Sequence, residues 1–191
     1  MSASHFGITN CYRVLSRAAG WPFRWAMNVA VRQLSPKVRM SGLLVLDATS
    51  QSVASDHLEN LAEAVSLIGE VAPYLMDRLR RNVSTITIAD EQRVEYAVVA
   101  RSAFLPRDRI AESPHVTLAA ILVGLSARAR ASNRRGGWII DAVAKRRLVR
   151  IDLNEQLRFV RKLDPERFTN TEAYVAYLEQ LIATDDSHLG S

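Results

Sequence analysis

Hydrophobic positions along the chain recur mainly at three- and four-residue intervals, and a few short stretches keep a different rhythm. From Ser55 to Arg81, the residues Leu58, Leu61, Val65, Ile68, Ala72, Leu75 and Leu79 follow the 3.6-residue period of a helix. Pro73 lies inside that run. It has no N–H to donate and it disfavours the α conformation of the residue before it, so two helices broken near Ala72 are predicted. Ser113-Pro114 supplies an N-cap and a first-turn proline. They precede an amphipathic stretch, Thr117–Ala131, with Leu118, Ile121, Leu122 and Leu125 on one face and Arg128 where the apolar stripe should continue. Ser132–Gly137 reads as the turn that closes this helix. A further helix is predicted over Trp138–Leu163, with Ile140, Val143, Leu148, Ile151, Phe159 and Leu163 on its apolar side and Glu155 among them. Asp164-Pro165 stops it. The capping box Thr169-Asn170-Thr171-Glu172 then opens a last helix carrying Tyr174, Tyr177, Leu178, Leu181 and Ile182 on one side.

The other rhythm belongs to strands. Ser41–Asp47 contains a short apolar run, Val83–Ala89 is β-branched and alternating, and Arg93–Ala100 contains Tyr-Ala-Val-Val-Ala. Asp90-Glu91-Gln92 would join the last two, and Ala103–Ser113 reads as a loop. The predicted class is α+β and mostly helical, with a small sheet packed against long helices. Residues 41–184 form one domain in this reading, after a basic helical extension (1–40) and before a flexible tail (185–191). Within the extension, 11–34 looks helical with a break at Gly20-Trp21-Pro22. Packing on the domain, lying in a membrane interface and serving as a transit segment are all compatible with its Trp- and Arg-containing, acid-free composition.

Composition narrows the chemistry. The 191 residues suit one domain or one domain plus an extension. Cys11 is the only cysteine, which excludes an intrachain disulfide. His5, His57, His115 and His188 are far apart, and no two stand one helical turn apart, so they cannot form a helical zinc clasp. His57 reads as a surface position near a helix start, and His115 as solvent-exposed or as a local cap in the first turn of its helix. No run of eighteen apolar residues occurs; the expectation is a cytoplasmic protein, with 11–34 as the one segment suited to peripheral membrane contact. The net charge of +5 is unevenly spread. Residues 1–46 hold six basic residues and no acid, and residues 128–162 hold eleven basic residues against three acids. In the second block Arg134, Arg135, Lys145, Arg146 and Arg150, with Arg130 and Arg147 beside them, could meet nucleic acid phosphates or anionic lipid. Trp138 is the only aromatic nearby, which does not favour base stacking. The competing reading is a solvated basic face.

Two ionisable residues, Arg128 and Glu155, fall on the apolar stripes of successive helices. Buried charge is tolerable when paired, so they are expected to face each other; otherwise Arg128 reaches solvent and Glu155 sits at the stripe edge. The same two helices carry a resemblance. Leu118-Ala119-Ala120-Ile121-Leu122-Val123, continuing to Ala129-Arg130, followed by Arg147-Leu148-Val149-Arg150-Ile151 and then Glu155-Gln156 and Phe159, resembles a group of small bacterial zinc-metallopeptidase-like proteins. In that group the first helix carries His-Glu-x-x-His, two histidines for zinc and a glutamate to activate water. The corresponding positions here are Gly124, Leu125 and Arg128, and the expected third ligand is Val149; none can hold a metal. Glu155, Gln156 and Phe159 match. The resemblance implies a zincin-like scaffold that has lost its zinc site, with no catalytic residue, no cofactor and a binding or structural role. A basic protein that binds nucleic acid or an anionic membrane is the first alternative, and an enzyme using an unrecognised site is the second. Gly136-Gly137 lacks the Lys-Ser/Thr of a phosphate loop, and Ser126 is not in a Gly-x-Ser-x-Gly elbow.

Overall fold

The computed structural model describes residues 35–49, 55–90, 94–98, 101–134, 142–168 and 171–187. The segment 11–34, the turn residues Arg135–Gly137 and the capping-box residues Thr169 and Asn170 lie outside them. Five strands form one sheet in the order β1 (Lys37–Met40), β2 (Leu43–Asp47), β3 (Thr85–Ala89), β5 (Ser102–Pro106), β4 (Glu95–Ala97). The three central strands are parallel, and each edge strand is antiparallel to its neighbour. β1 brings residues 37–40, read as part of the extension, into the sheet. It turns into β2 through Ser41 and Gly42, both with positive φ, the conformation that a two-residue hairpin turn requires. Arg80 Nε donates to the Ser41 carbonyl at 2.9 Å and pins that turn to the helical layer.

Between β2 and β3 run α1 (Ser55–Val71) and α2 (Pro73–Asn82), separated at Ala72 where Pro73 places the break. After β5 come α3 (Arg107–Glu112), α4 (His115–Arg134), α5 (Ala142–Val160) and α6 (Thr171–Ser187). The sheet's two faces differ. Leu43, Val45, Ile86, Ile88, Ala103 and Leu105 join the main apolar core with α1, α2 and α4. The opposite face carries Leu44, Leu46 and Ala48 as a small separate cluster, and a hydrogen bond of 2.8 Å between the Thr87 and Ser102 hydroxyls. No helix among the described residues is long and apolar enough to cross a membrane.

Several expectations are corrected. Ala103–Ser113 is not a loop: it contributes most of β5 and all of α3. Ser-Ala-Phe-Leu-Pro lacks alternation because β5 is buried on both faces, as an interior parallel strand is. β3 and β4 are not hairpin partners, since β5 lies between them. α4 continues through Ser132 to Arg134, into the first half of the predicted turn, and α6 continues to Ser187, into the predicted tail. α4 is not amphipathic in its middle, where every residue from Leu118 to Ala127 is buried. It packs against α1 and α2 and most extensively against α5, so it has no solvent face to mark with polar residues.

Candidate functional site

The site begins with a glycine in the wrong place for a helix. Gly124 is in the middle of α4, where glycine costs about 1 kcal/mol relative to alanine. A Cβ there would overlap Asp152 Oδ1 on α5 and lie 2.8 Å from Gln156 Cγ and 2.9 Å from the Asp152 backbone oxygen. The missing side chain lets α5 approach closely with a carboxylate at the contact. This changes the phase of α5. Its inward stripe is Leu148, Asp152, Gln156, Phe159 and Val160, all buried, whereas Val143 and Ile151, assigned to the apolar side, are 55% and 37% exposed.

Burying Asp152 has consequences. Removal from water pushes its carboxyl up to about 6, although the hydrogen bond from Gln156 and the positive charge of Arg128 pull the other way. Gln156 Nε2 donates to Asp152 Oδ1 at 2.7 Å, and the Tyr174 hydroxyl donates to Gln156 Oε1 at 2.7 Å. A chain of polar groups therefore runs from the α4–α5 contact to α6. Burial raises the Tyr174 pKa; the charges of Tyr177 and Asp152 add to the rise, and Arg109 opposes it.

The second hub is Arg78 on α2, which the sequence reading passed over. Its Nε donates to Ser126 Oγ at 3.0 Å, its Nη2 to the Val123 carbonyl at 3.2 Å, and its Nη1 to Glu155 Oε2 at 2.5 Å. Ser126 Oγ in turn donates to the Val123 carbonyl at 2.7 Å. Arg158 adds a second ion pair to Glu155 at 3.0 Å. Partial burial works to raise the Glu155 carboxyl, but the hydrogen bonds and charges of Arg78 and Arg158 outweigh it and hold the group below its ordinary range. The expected Arg128–Glu155 pair is thus replaced by Arg78–Glu155. Arg128 is half-buried, and its charge is felt by Asp152 instead.

Beside Arg78 opens a cavity of about 540 Å³ lined by Tyr74, Arg78, Arg81, Asn82, Arg130 and Asn133. A smaller recess of about 210 Å³ adjoins it along Arg78 and Arg130 and also touches Ala127, Ala131, Ile151 and Glu155. The larger cavity runs along α2, from Tyr74 in its first turn to Asn82 at its end, and meets the C-terminal end of α4 at Arg130 and Asn133. The Tyr96 hydroxyl, with one proton, is aimed at the Asn82 carbonyl (3.0 Å) and Asn133 Oδ1 (3.2 Å), and so fixes Asn133 at the cavity wall. Burial raises the Tyr96 pKa against the opposing effects of Asn133 and Arg101.

The other predicted positions separate into groups. Leu125 is fully buried in the apolar core, and Val149 is 40% exposed on α5. Gly124 and Glu155 each lie at a polar contact, but not at the same one. Lys145, Arg146 and Arg150 are exposed along the first half of α5. Arg134 ends α4, and Arg135 lies outside the described residues. Neither His57 nor His115 stands in a metal cluster, and no group of three or more His, Cys, Asp or Glu among the described residues could hold a metal ion. His115 is 3.6 Å from Glu63 and makes an edge contact with the Phe168 ring. His57 is partly buried rather than a surface residue. Asp152 and Gln156 could have been found from the spacing Leu148, Asp152, Gln156, Phe159, which is as helical as the stripe preferred above. Arg78 left no comparable signal, because Asp77-Arg78 reads as an ordinary solvated pair. No protein-family profile, no curated protein and no solved structure matches this chain.

Proposed function

We propose that this chain is a catalytically silent, zincin-like relative of the bacterial zinc metallopeptidases, and that its role is binding rather than hydrolysis. The observation that carries the proposal is the use of Gly124 as the contact point for Asp152. The position that would offer the first histidine holds a neighbouring helix instead. Leu125, where the water-activating glutamate would be, belongs to the apolar core. Arg128, where the second histidine would be, places a permanent cation within reach of Asp152. The three positions serve helix packing in place of metal chemistry.

The test is direct. The purified chain is equilibrated with excess zinc, freed of unbound metal and analysed for zinc content. The expected result is far less than one zinc per chain; one tightly held zinc per chain would overturn the proposal. A second reading, association with nucleic acid or an anionic membrane, is favoured by the exposed cations Lys145, Arg146, Arg147 and Arg150 on α5. It predicts salt-sensitive binding that weakens when Lys145 and Arg146 are replaced by glutamine. Binding indifferent to both salt and these substitutions would remove it.

A further inference from the structure

We infer that the cavity along α2 and the C-terminal end of α4 is a binding site for a small organic phosphate. The inference does not depend on the metallopeptidase reading. It starts from what lines the cavity: among the described residues, three arginines, two asparagines and a tyrosine, with no carboxylate. At about 540 Å³ the space lies within the range of small-molecule pockets.

The three arginines are not equivalent. Arg78 is spent: its guanidinium is fixed by Ser126, Val123 and Glu155. It stiffens the wall and brings no net charge, because Glu155 matches it. Arg81 anchors its Nε on the Asp77 carbonyl at 3.2 Å, which leaves the Nη end for a ligand. Arg130 is exposed, and no hydrogen bond or ion pair engages its guanidinium among the described residues. Planar guanidinium forks match phosphate oxygens in pairs, which an ammonium cannot do.

The remaining groups suit the organic part. The Tyr96 hydroxyl occupies Asn133 Oδ1, so the Nδ2 of Asn133 remains as a donor at the wall. Lys162 donates to the Tyr74 hydroxyl at 2.5 Å and lies 5.0 Å from the centre of that ring, adding positive charge at the rim. A simpler role for the cations would be to offset the negative C-terminal ends of the two helices. Yet carbonyls of the last turn of α2 already have side-chain donors: Asn82 Nδ2 reaches the Arg78 carbonyl at 2.7 Å, and Arg101 reaches the Arg81 carbonyl. Those bonds lessen the need for Arg81 at the helix end and reduce the field that would repel an anion. Concavity favours a small ligand over a polymer, for which the exposed cations of α5 would be the better surface.

The experiment is calorimetric titration of the full chain at low salt with pyrophosphate and with ATP as probes. A short single-stranded oligonucleotide and phosphatidylserine vesicles serve as the competing sources of phosphate. Saturable binding of pyrophosphate and ATP is expected, weakened about tenfold or more by Arg81→Gln with Arg130→Gln and unchanged by Lys145→Gln with Arg146→Gln. Thermal unfolding checks that the variants fold. Should the double variant melt early, Arg130→Gln alone, at an exposed side chain, carries the comparison with a several-fold loss. The inference is overturned by absence of saturable binding to both probes at millimolar concentration, by binding indifferent to Arg81 and Arg130, or by binding confined to the oligonucleotide or the vesicles.

Discussion

Arg78 stands between two polar regions of one helical layer that are built in opposite ways. On one side, at the contact of α4 with α5, polar groups are buried and matched: Asp152 with Gln156, Gln156 with Tyr174, Glu155 with Arg78. On the other side, Arg81, Arg130 and Asn133 line open space with donors to spare. The first region is close-packed enough to require a glycine, and the second holds a volume that a ligand could fill. Ionisable residues near a helix interface therefore do not by themselves mark a site. Those whose partners are already in place hold the structure together, and those that converge on a cavity with donors left over are the ones to test for binding.

Substitutions that press on the packed region should have the largest effects. Gly124→Ala is expected to destabilise by roughly 3 kcal/mol, because the added carbon meets a backbone oxygen that moves only if α5 does, and a helix-propensity gain of about 1 kcal/mol offsets only part of that. Urea unfolding measures it, and a variant as stable as the parent would mean that the two helices do not touch there. Arg78→Ala strands Glu155 with only the exposed Arg158 as partner, so a loss of about 2 kcal/mol is expected. Arg158→Ala, at a side chain 76% exposed, should cost well under about 0.5 kcal/mol. Equal losses for the two arginines would erase the distinction between buried and exposed partners.

A pH profile sharpens the comparison further. Asp152 binds its proton more tightly in the folded chain than in the unfolded one. Its burial therefore destabilises the fold above about 6, and stability should rise as the pH is lowered from neutrality through that value. Glu155 works in the reverse direction. Its folded pKa is depressed, so its contribution is present above the ordinary glutamate range and is lost as the pH falls through it. Stability is expected to peak in mildly acidic solution. Asp152→Asn should raise stability at neutral pH by on the order of 1–2 kcal/mol and abolish the rise on acidification. An unchanged profile would place the titration elsewhere. A control lies outside both regions: Gly69→Ala on α1 meets nothing within 4 Å and should stabilise by up to about 1 kcal/mol.

Much of the architecture was legible from periodicity and punctuation. The break at Pro73 is where its missing N–H puts it, and the helical layer follows the 3.6-residue pattern. β1 and β5 were not legible. β1 is four residues long and mostly exposed, with basic residues alternating, so it offers no hydrophobic run. β5 is buried on both faces and shows no alternation. The polar crossing was misread for a different reason. Ile151 and Val143 are apolar yet exposed, while Asp152 and Gln156 are polar yet buried. Hydrophobicity alone therefore selected the wrong stripe on α5. The useful clue was Gly124, a poor helix former in the middle of α4, and it pointed to the close approach of α5. The cavity depends on α2 and the C-terminal end of α4 meeting in space, with Arg81 and Arg130 brought together from positions 49 residues apart in sequence. No local pattern could announce that.

The claim beneath all of this is that the α4–α5 contact is closed around the Asp152 carboxylate. Carbon-detected NMR titration of that side-chain carboxyl tests it most directly. A midpoint near 6, well above an ordinary aspartate, is the expected result. A midpoint in the ordinary aspartate range would mean that water reaches the group, that Gly124 is not sealed by α5, and that the space between the two helices is open.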